Sequence, residues 1–327
     1  MRILSNTIYI LLTGYTLIFF SEWMFWAGRP PVDGIVGEVI LTLLLYSFVG
    51  ILFLAAVDYF HVRSFWAVFL AGALYGFMIE GIIVPTMYAD FPLNLSWTPL
   101  AWHAILTILF GWYYLPNALR QSPKAGILAS LGFGVFTGLW SLGWWSETLL
   151  APPGTMVIYY CAFSLLFFIA LVLRGRFPRP DFSQPGRGIY IAIGLMVLYF
   201  VVVTLPQQPF ALVILPPLLV ILLLTLRKNR QTELLNPSPS RSMVLTARQA
   251  LPVLLIPVMA SLIYVLFYNA NPPALPVLPI PAVATPVYAL FYNMTLPTLP
   301  LAYLVLTPAG FILFGISIYR IWKPKPV

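Results

Sequence analysis

The sequence predicts an all-α integral membrane protein that crosses the bilayer about ten times, and three observations carry that expectation. Of its 327 residues, 61% are hydrophobic and only 8% are charged, a balance that cannot clothe a water-facing surface. The apolar residues fall into stretches of roughly 20, the length that crosses a hydrocarbon core about 30 Å thick. Taking these stretches as alternating crossings sorts the charges. Sixteen of the seventeen Lys and Arg residues fall on one side, with Arg29 the exception, while six of the nine acids (Glu22, Asp33, Glu38, Glu80, Asp90 and Glu147) fall on the other. Under the positive-inside rule the basic side and both termini are cytoplasmic, and a multi-pass protein of the plasma membrane is expected.

Each element follows from hydropathy, broken by charge and proline. The first span, Ile3 to Phe25, resembles a secretory leader, but Ser21, Glu22, Trp23 and Met24 offer no small-residue cleavage pattern, so a retained helix is expected. The others are expected at Ile35 to Val57, Phe65 to Met87, Trp97 to Leu115, Gly126 to Trp145, Met156 to Leu173, Ile189 to Leu205, Phe210 to Leu226, Leu251 to Tyr268 and Leu299 to Ile321. The proline-bearing stretch from Arg174 to Gly188 divides a six-helix unit, residues 1–175, from a four-helix unit, residues 189–321. Residues 227–248, with Asn236, Pro237, Ser238, Pro239 and Ser240, predict a polar cytoplasmic loop. The outer segment 269–300 is apolar yet proline-dense, which rules out a regular helix and requires cover by the bundle or by water.

A repeat is visible in outline. Gly76, Glu80 and Pro85 share their spacing with Gly143, Glu147 and Pro152, and Ser21 and Glu22 echo Ser146 and Glu147. Three helical hairpins in one orientation are expected from it, with a Glu near the outer end of the first, third and fifth helices.

Glu80 is the leading candidate for chemistry. It lies about eight residues, or ~12 Å, below the outer end of its helix. A carboxylate at that depth costs ~2.5 kcal/mol or more on insertion scales, so it should face the bundle interior and have a partner. His103 lies at matching depth on the next helix, which runs the other way, and the two are expected to pair. Gly76, four residues before Glu80, shares its helix face and could admit a neighbour closely. Glu22 and Glu147 are expected nearer the interface, among Trp23, Trp26, Trp97, Trp102, Trp144 and Trp145. Such tryptophans read either as a headgroup-level aromatic belt or, with the carboxylates, as a mouth for a cation, with Trp102 and Trp144 lining it. At the opposite face Asp58, His61 and Arg63 are expected to anchor the second helix in the interface.

Several chemistries are excluded by the residues available. One cysteine, Cys161, allows no intrachain disulfide and no cysteine metal cluster. Every lysine lies in a loop or tail, so a retinal Schiff base has no site, and two histidines at opposite faces hold neither haem nor zinc. No cofactor, metal or catalytic residue is therefore assigned, and the basic loops point to the lipid bilayer rather than to nucleic acid. Three roles remain open: a carrier of a small polar or cationic solute, a membrane-embedded enzyme acting on a lipid or apolar substrate, and a non-catalytic subunit joined to other membrane subunits.

Overall fold

The computed structural model describes residues 2–25, 35–143, 151–235, 244–270 and 298–323, and the described residues are helical without strands. The protein is an all-α, multi-pass membrane protein. Ten helical rods are numbered here in chain order. α1 is Arg2–Ile18 with a widened π-helical end, Phe19–Trp23; α2 is Ile35–Tyr59; α3 is Phe65–Met78, ending in a second π segment, Ile79–Ile83. α4 joins Asn94–Ser96, a long π segment Trp97–Tyr114, and Leu115–Gln121. α5 is Pro123–Gly143 and α6 is Pro153–Arg174. α7 is Arg187–Tyr199 with Phe200–Thr204 and Leu205–Gln207; α8 is Ala211–Leu235; α9 is Leu255–Ala270, preceded by Ala247–Ala250 and Leu251–Leu254; α10 is Thr298–Trp322.

Among the described residues, nine of these rods are long and apolar enough to cross a membrane. α4, the tenth expected span, is helical but falls outside those nine. Its sequence carries His103, Thr98, Thr107 and several Trp and Tyr residues, and it sits inside the bundle, where Ala101, His103, Ala104, Thr107 and Ile108 are buried. A helix wrapped by other helices need not match the apolarity of lipid. α3 is the hub, with 78% of its span buried, against 22% for α7 and 17% for α10. α7 turns Ile191, Leu198 and Val202 outward, as a lipid-facing helix does.

α1 packs on α2 and α3 on α4, whereas α9 packs along both α5 and α6, so the third expected hairpin is opened by a helix from the second half of the chain. α10 docks on α3 and α4, where the Ser96 hydroxyl donates to the Thr307 carbonyl at 2.6 Å. Tyrosine hydroxyls inside a dry bundle need acceptors, and they find backbone carbonyls on neighbouring helices. Tyr15 donates to Phe163 O at 2.9 Å and Tyr159 to Trp23 O at 2.7 Å, tying α1 to α6, while Tyr264 reaches Ala151 O at 2.8 Å.

The polar stretch 227–248 is shorter than the sequence suggests, because α8 runs on through Arg227 to Leu235. Its Lys, Arg, Gln and Glu residues are sound helix formers and need no lipid. Residues 236–243, and 271–297 of the proline-rich outer segment, lie outside the described residues.

At one end of the bundle the basic helix ends meet. Arg179 pairs with Asp58, whose other oxygen accepts from Phe182 N at 3.1 Å; Asn229 Nδ2 donates to Phe60 O at 3.0 Å and His61 O at 3.3 Å; the Arg230 guanidinium lies 4.2 Å from the Tyr59 ring centre. Desolvation, then the nearby Arg63 and Arg230, hold His61 below the ordinary histidine range. Asp58 thus clamps the 175–186 connection, while the His61 carbonyl is held by Asn229 of α8. Asp58→Ala is expected to act locally. Because Arg179 is 38% exposed, the global loss should stay below about 1 kcal/mol. Trypsin cleavage at Arg176 should accelerate several-fold, and unchanged cleavage would show that the clamp does not hold the connection.

Candidate functional site

Three widened helix segments converge where the polar residues lie. In a π turn the i→i+5 spacing inserts an extra residue and loosens the carbonyl ladder, and such turns recur at functional sites. Here they carry Ser21 and Glu22 (α1), Glu80 (α3), and Trp102, His103 and Thr107 (α4). The loosened carbonyls are taken by neighbouring side chains. Trp102 Nε1 donates to Ser21 O at 3.0 Å, Tyr88 OH to Gly81 O at 2.8 Å, and Tyr199 OH to Ile83 O at 3.4 Å, so each of these three carbonyls keeps a donor.

α3 and α4 approach in opposite directions. Gly72 lies against Ala104 and Ile108, and Gly76 against Pro99; a Cβ on Gly76 would stand 2.7 Å from Pro99 Cα. That contact brings Glu80 and His103 together. Glu80 Oε1 lies 2.7 Å from His103 Nε2, with the imidazole 1% exposed and the carboxylate 13%. Glu80's second oxygen accepts from the Thr86 hydroxyl, which folds back after Pro85 interrupts the helix. His103 Nδ1 lies 3.3 Å from Ser21 Oγ, and Ser21 Oγ lies 3.0 Å from Thr107 Oγ1. Thr86, Glu80, His103, Ser21 and Thr107 therefore form one hydrogen-bonded line through the bundle.

Glu22 joins them from the side. Its carboxylate accepts from the hydroxyl of Tyr46, a residue 2% exposed, and it interacts electrostatically with both His103 and Glu80. The structure thus draws Glu22 into the Glu80 and His103 cluster, instead of leaving it among interfacial tryptophans. The buried Tyr75 ring meets the His103 ring edge-on at 5.6 Å and lies 6.4 Å from Tyr46, forming an aromatic wall.

Trp102 packs inward, with ring centres 4.1 Å from Phe25, 4.8 Å from Trp140 and 5.6 Å from Trp97. Trp97 also meets Tyr303 of α10 at 5.0 Å. This aromatic cluster adjoins the polar line through the Trp102 indole nitrogen. Glu147 and Trp144 lie outside the described residues. Among the described residues, no group of three or more His, Cys, Asp or Glu side chains is arranged to hold a metal ion.

Sequence reasoning missed Ser21, Tyr46, Thr86 and Thr107 as members of the site. The available signal was chemical: hydroxyls within apolar spans must each find an acceptor, and their partners were the acids and the histidine already in view. In comparisons with known proteins, the chain matches no family model, no curated protein and no solved structure.

Proposed function

We propose that the protein carries a small polar or cationic solute across the plasma membrane, coupled to protons through Glu80 and His103. The observation that carries this reading is the 2.7 Å contact between Glu80 and a wholly enclosed His103. Intramembrane ionisable pairs mark ion and proton pathways more often than mere packing. One proton shared by carboxylate and imidazole can pass to either group, and Ser21 and Thr107 extend the path along α4. A cation arriving beside Glu22 and Glu80 competes with that proton, and the competition couples the two fluxes. Trp102 and its aromatic neighbours provide ring faces suited to an organic cation. The basic end of the bundle is placed in the cytoplasm by the positive-inside rule, with both termini.

Proteoliposomes loaded with a pH-sensitive dye, with tetramethylammonium or guanidinium as the probe cation, test the reading. Wild-type protein should move protons in response to the cation gradient, and Glu80→Gln should slow that movement at least tenfold. Equal rates from both proteins would remove Glu80 from the path.

One observation favours a second reading. Glu80, His103 and Ser21 stand in the order carboxylate, imidazole, hydroxyl, the arrangement that activates a serine nucleophile. A membrane-embedded hydrolase of an apolar ester would use it. Covalent capture of Ser21 by a fluorophosphonate, lost in His103→Gln, would favour this second reading.

A further inference from the structure

α6 ends in a cation without a counterion among the described residues. Arg174 is 3% exposed, and neither of its terminal nitrogens, Nη1 and Nη2, has a hydrogen-bond partner. Neither the Glu80–His103 nor the Asp58–Arg179 ion pair involves Arg174. Two acids at this end of the bundle are engaged elsewhere, Asp58 by Arg179 and Phe182 N, and Asp181 by Ser183 N at 2.9 Å. Residues 236–243 contain no acid that could supply the missing charge. The groups that interact with the guanidinium are Tyr9 of α1, a potential hydrogen-bond donor, and Arg179, a second cation.

Tyr9 is 8% exposed, and Leu245, 3% exposed, packs beside the next residue, Gly175, its carbonyl 3.5 Å from where a Cβ there would lie. A desolvated cation with another cation as neighbour is costly unless an anion completes it. The guanidinium fork offers two parallel donors, matched to two oxygens of a tetrahedral oxyanion. The position lies at the end of the bundle where the basic residues gather, where phosphate groups of either lipid or solute origin are met.

We propose that Arg174, with Tyr9 beside it, is a binding site for a phosphate-class oxyanion. The site is separate from the Glu80 and His103 cluster and does not depend on the role assigned to that cluster. A free ion and a lipid headgroup share this phosphate chemistry, and two arms of one experiment distinguish them. Thermal unfolding is followed by tryptophan fluorescence in phosphatidylcholine nanodiscs titrated with inorganic phosphate, and in nanodiscs of increasing phosphatidylglycerol content without it. Wild-type protein should show a saturable rise in melting temperature in one arm, and that arm names the source. Arg174→Met should require at least tenfold more ligand for the same rise, and Arg174→Lys should fall between. Because Arg174→Met removes an unpaired buried charge, the ligand-free variant should fold at least as stably as wild type, so loss of response cannot be put down to misfolding. A wild type that responds in neither arm, or an Arg174→Met variant that responds equally, overturns the proposal.

Discussion

Glu80→Ala is expected to destabilise the protein by about 3–5 kcal/mol, the usual cost of removing one partner from a buried pair. His103 is 1% exposed, and its Nε2 faces Glu80 at 2.7 Å. Ser21 holds only the other ring nitrogen, and the Thr86 hydroxyl loses its acceptor as well. Glu80→Gln should cost much less, since the amide oxygen can still accept from the imidazole. Replacing both partners, Glu80→Leu with His103→Leu, should recover at least half of the Glu80→Ala loss, because apolar pairs often substitute for buried polar ones without penalty. The cycle is read by SDS titration in mixed micelles. A coupling near zero would mean that the two groups do not stabilise each other.

Gly76→Ala should destabilise by about 1–3 kcal/mol, the range for an overfilled core, and Gly76→Leu by more. The intruding methyl would meet Pro99 Cα at 2.7 Å and Pro99 C at 2.8 Å. These are backbone atoms, so α4 as a whole must retreat from α3. Retreat would also stretch the Glu80 and His103 contact one turn away, so the proton-flux assay should fall alongside stability. Gly132→Ala provides the control. Nothing lies within 4 Å of a Cβ there, and the added methyl should be neutral or slightly stabilising. Equal melting temperatures for the two alanine variants would show that the tight crossing of α3 and α4 is absent.

The pairing of Glu80 with His103 was legible in the sequence because depth in a membrane is nearly a function of residue count: two polar residues equally far from the ends of neighbouring antiparallel spans must share a level. Gly76 was legible for a related reason, since it occupies the same helix face as Glu80 one turn away. The link from Glu22 to Tyr46 was not legible, because the count assumes a regular rise of about 1.5 Å per residue and the π segment Phe19–Trp23 breaks that regularity. Tyr46 stayed hidden in an apolar stretch, where a lone tyrosine reads as one more large side chain. Thr86 was out of reach because the chain reverses after Pro85, and hydropathy carries no information on where a broken helix end folds back. The opening of the third hairpin by α9 could not be read at all, since nine apolar rods are interchangeable until their surfaces are matched. Arg174 was counted with the loop arginines that set topology, and only burial separates it from them.

The widened segments of α1 and α3 also set how the site tolerates change in chain length. In a regular α-helix each residue advances the azimuth by about 100°, so deleting one residue swings everything beyond it to a different side. A π turn already holds one surplus residue, and losing it would return Phe19–Trp23 or Ile79–Ile83 to ordinary winding while turning Glu22 or Glu80 away from His103. The two carboxylates thus owe their bearing to insertions rather than to residue choice alone, and a homologue lacking either insertion would keep the rods but lose their common focus.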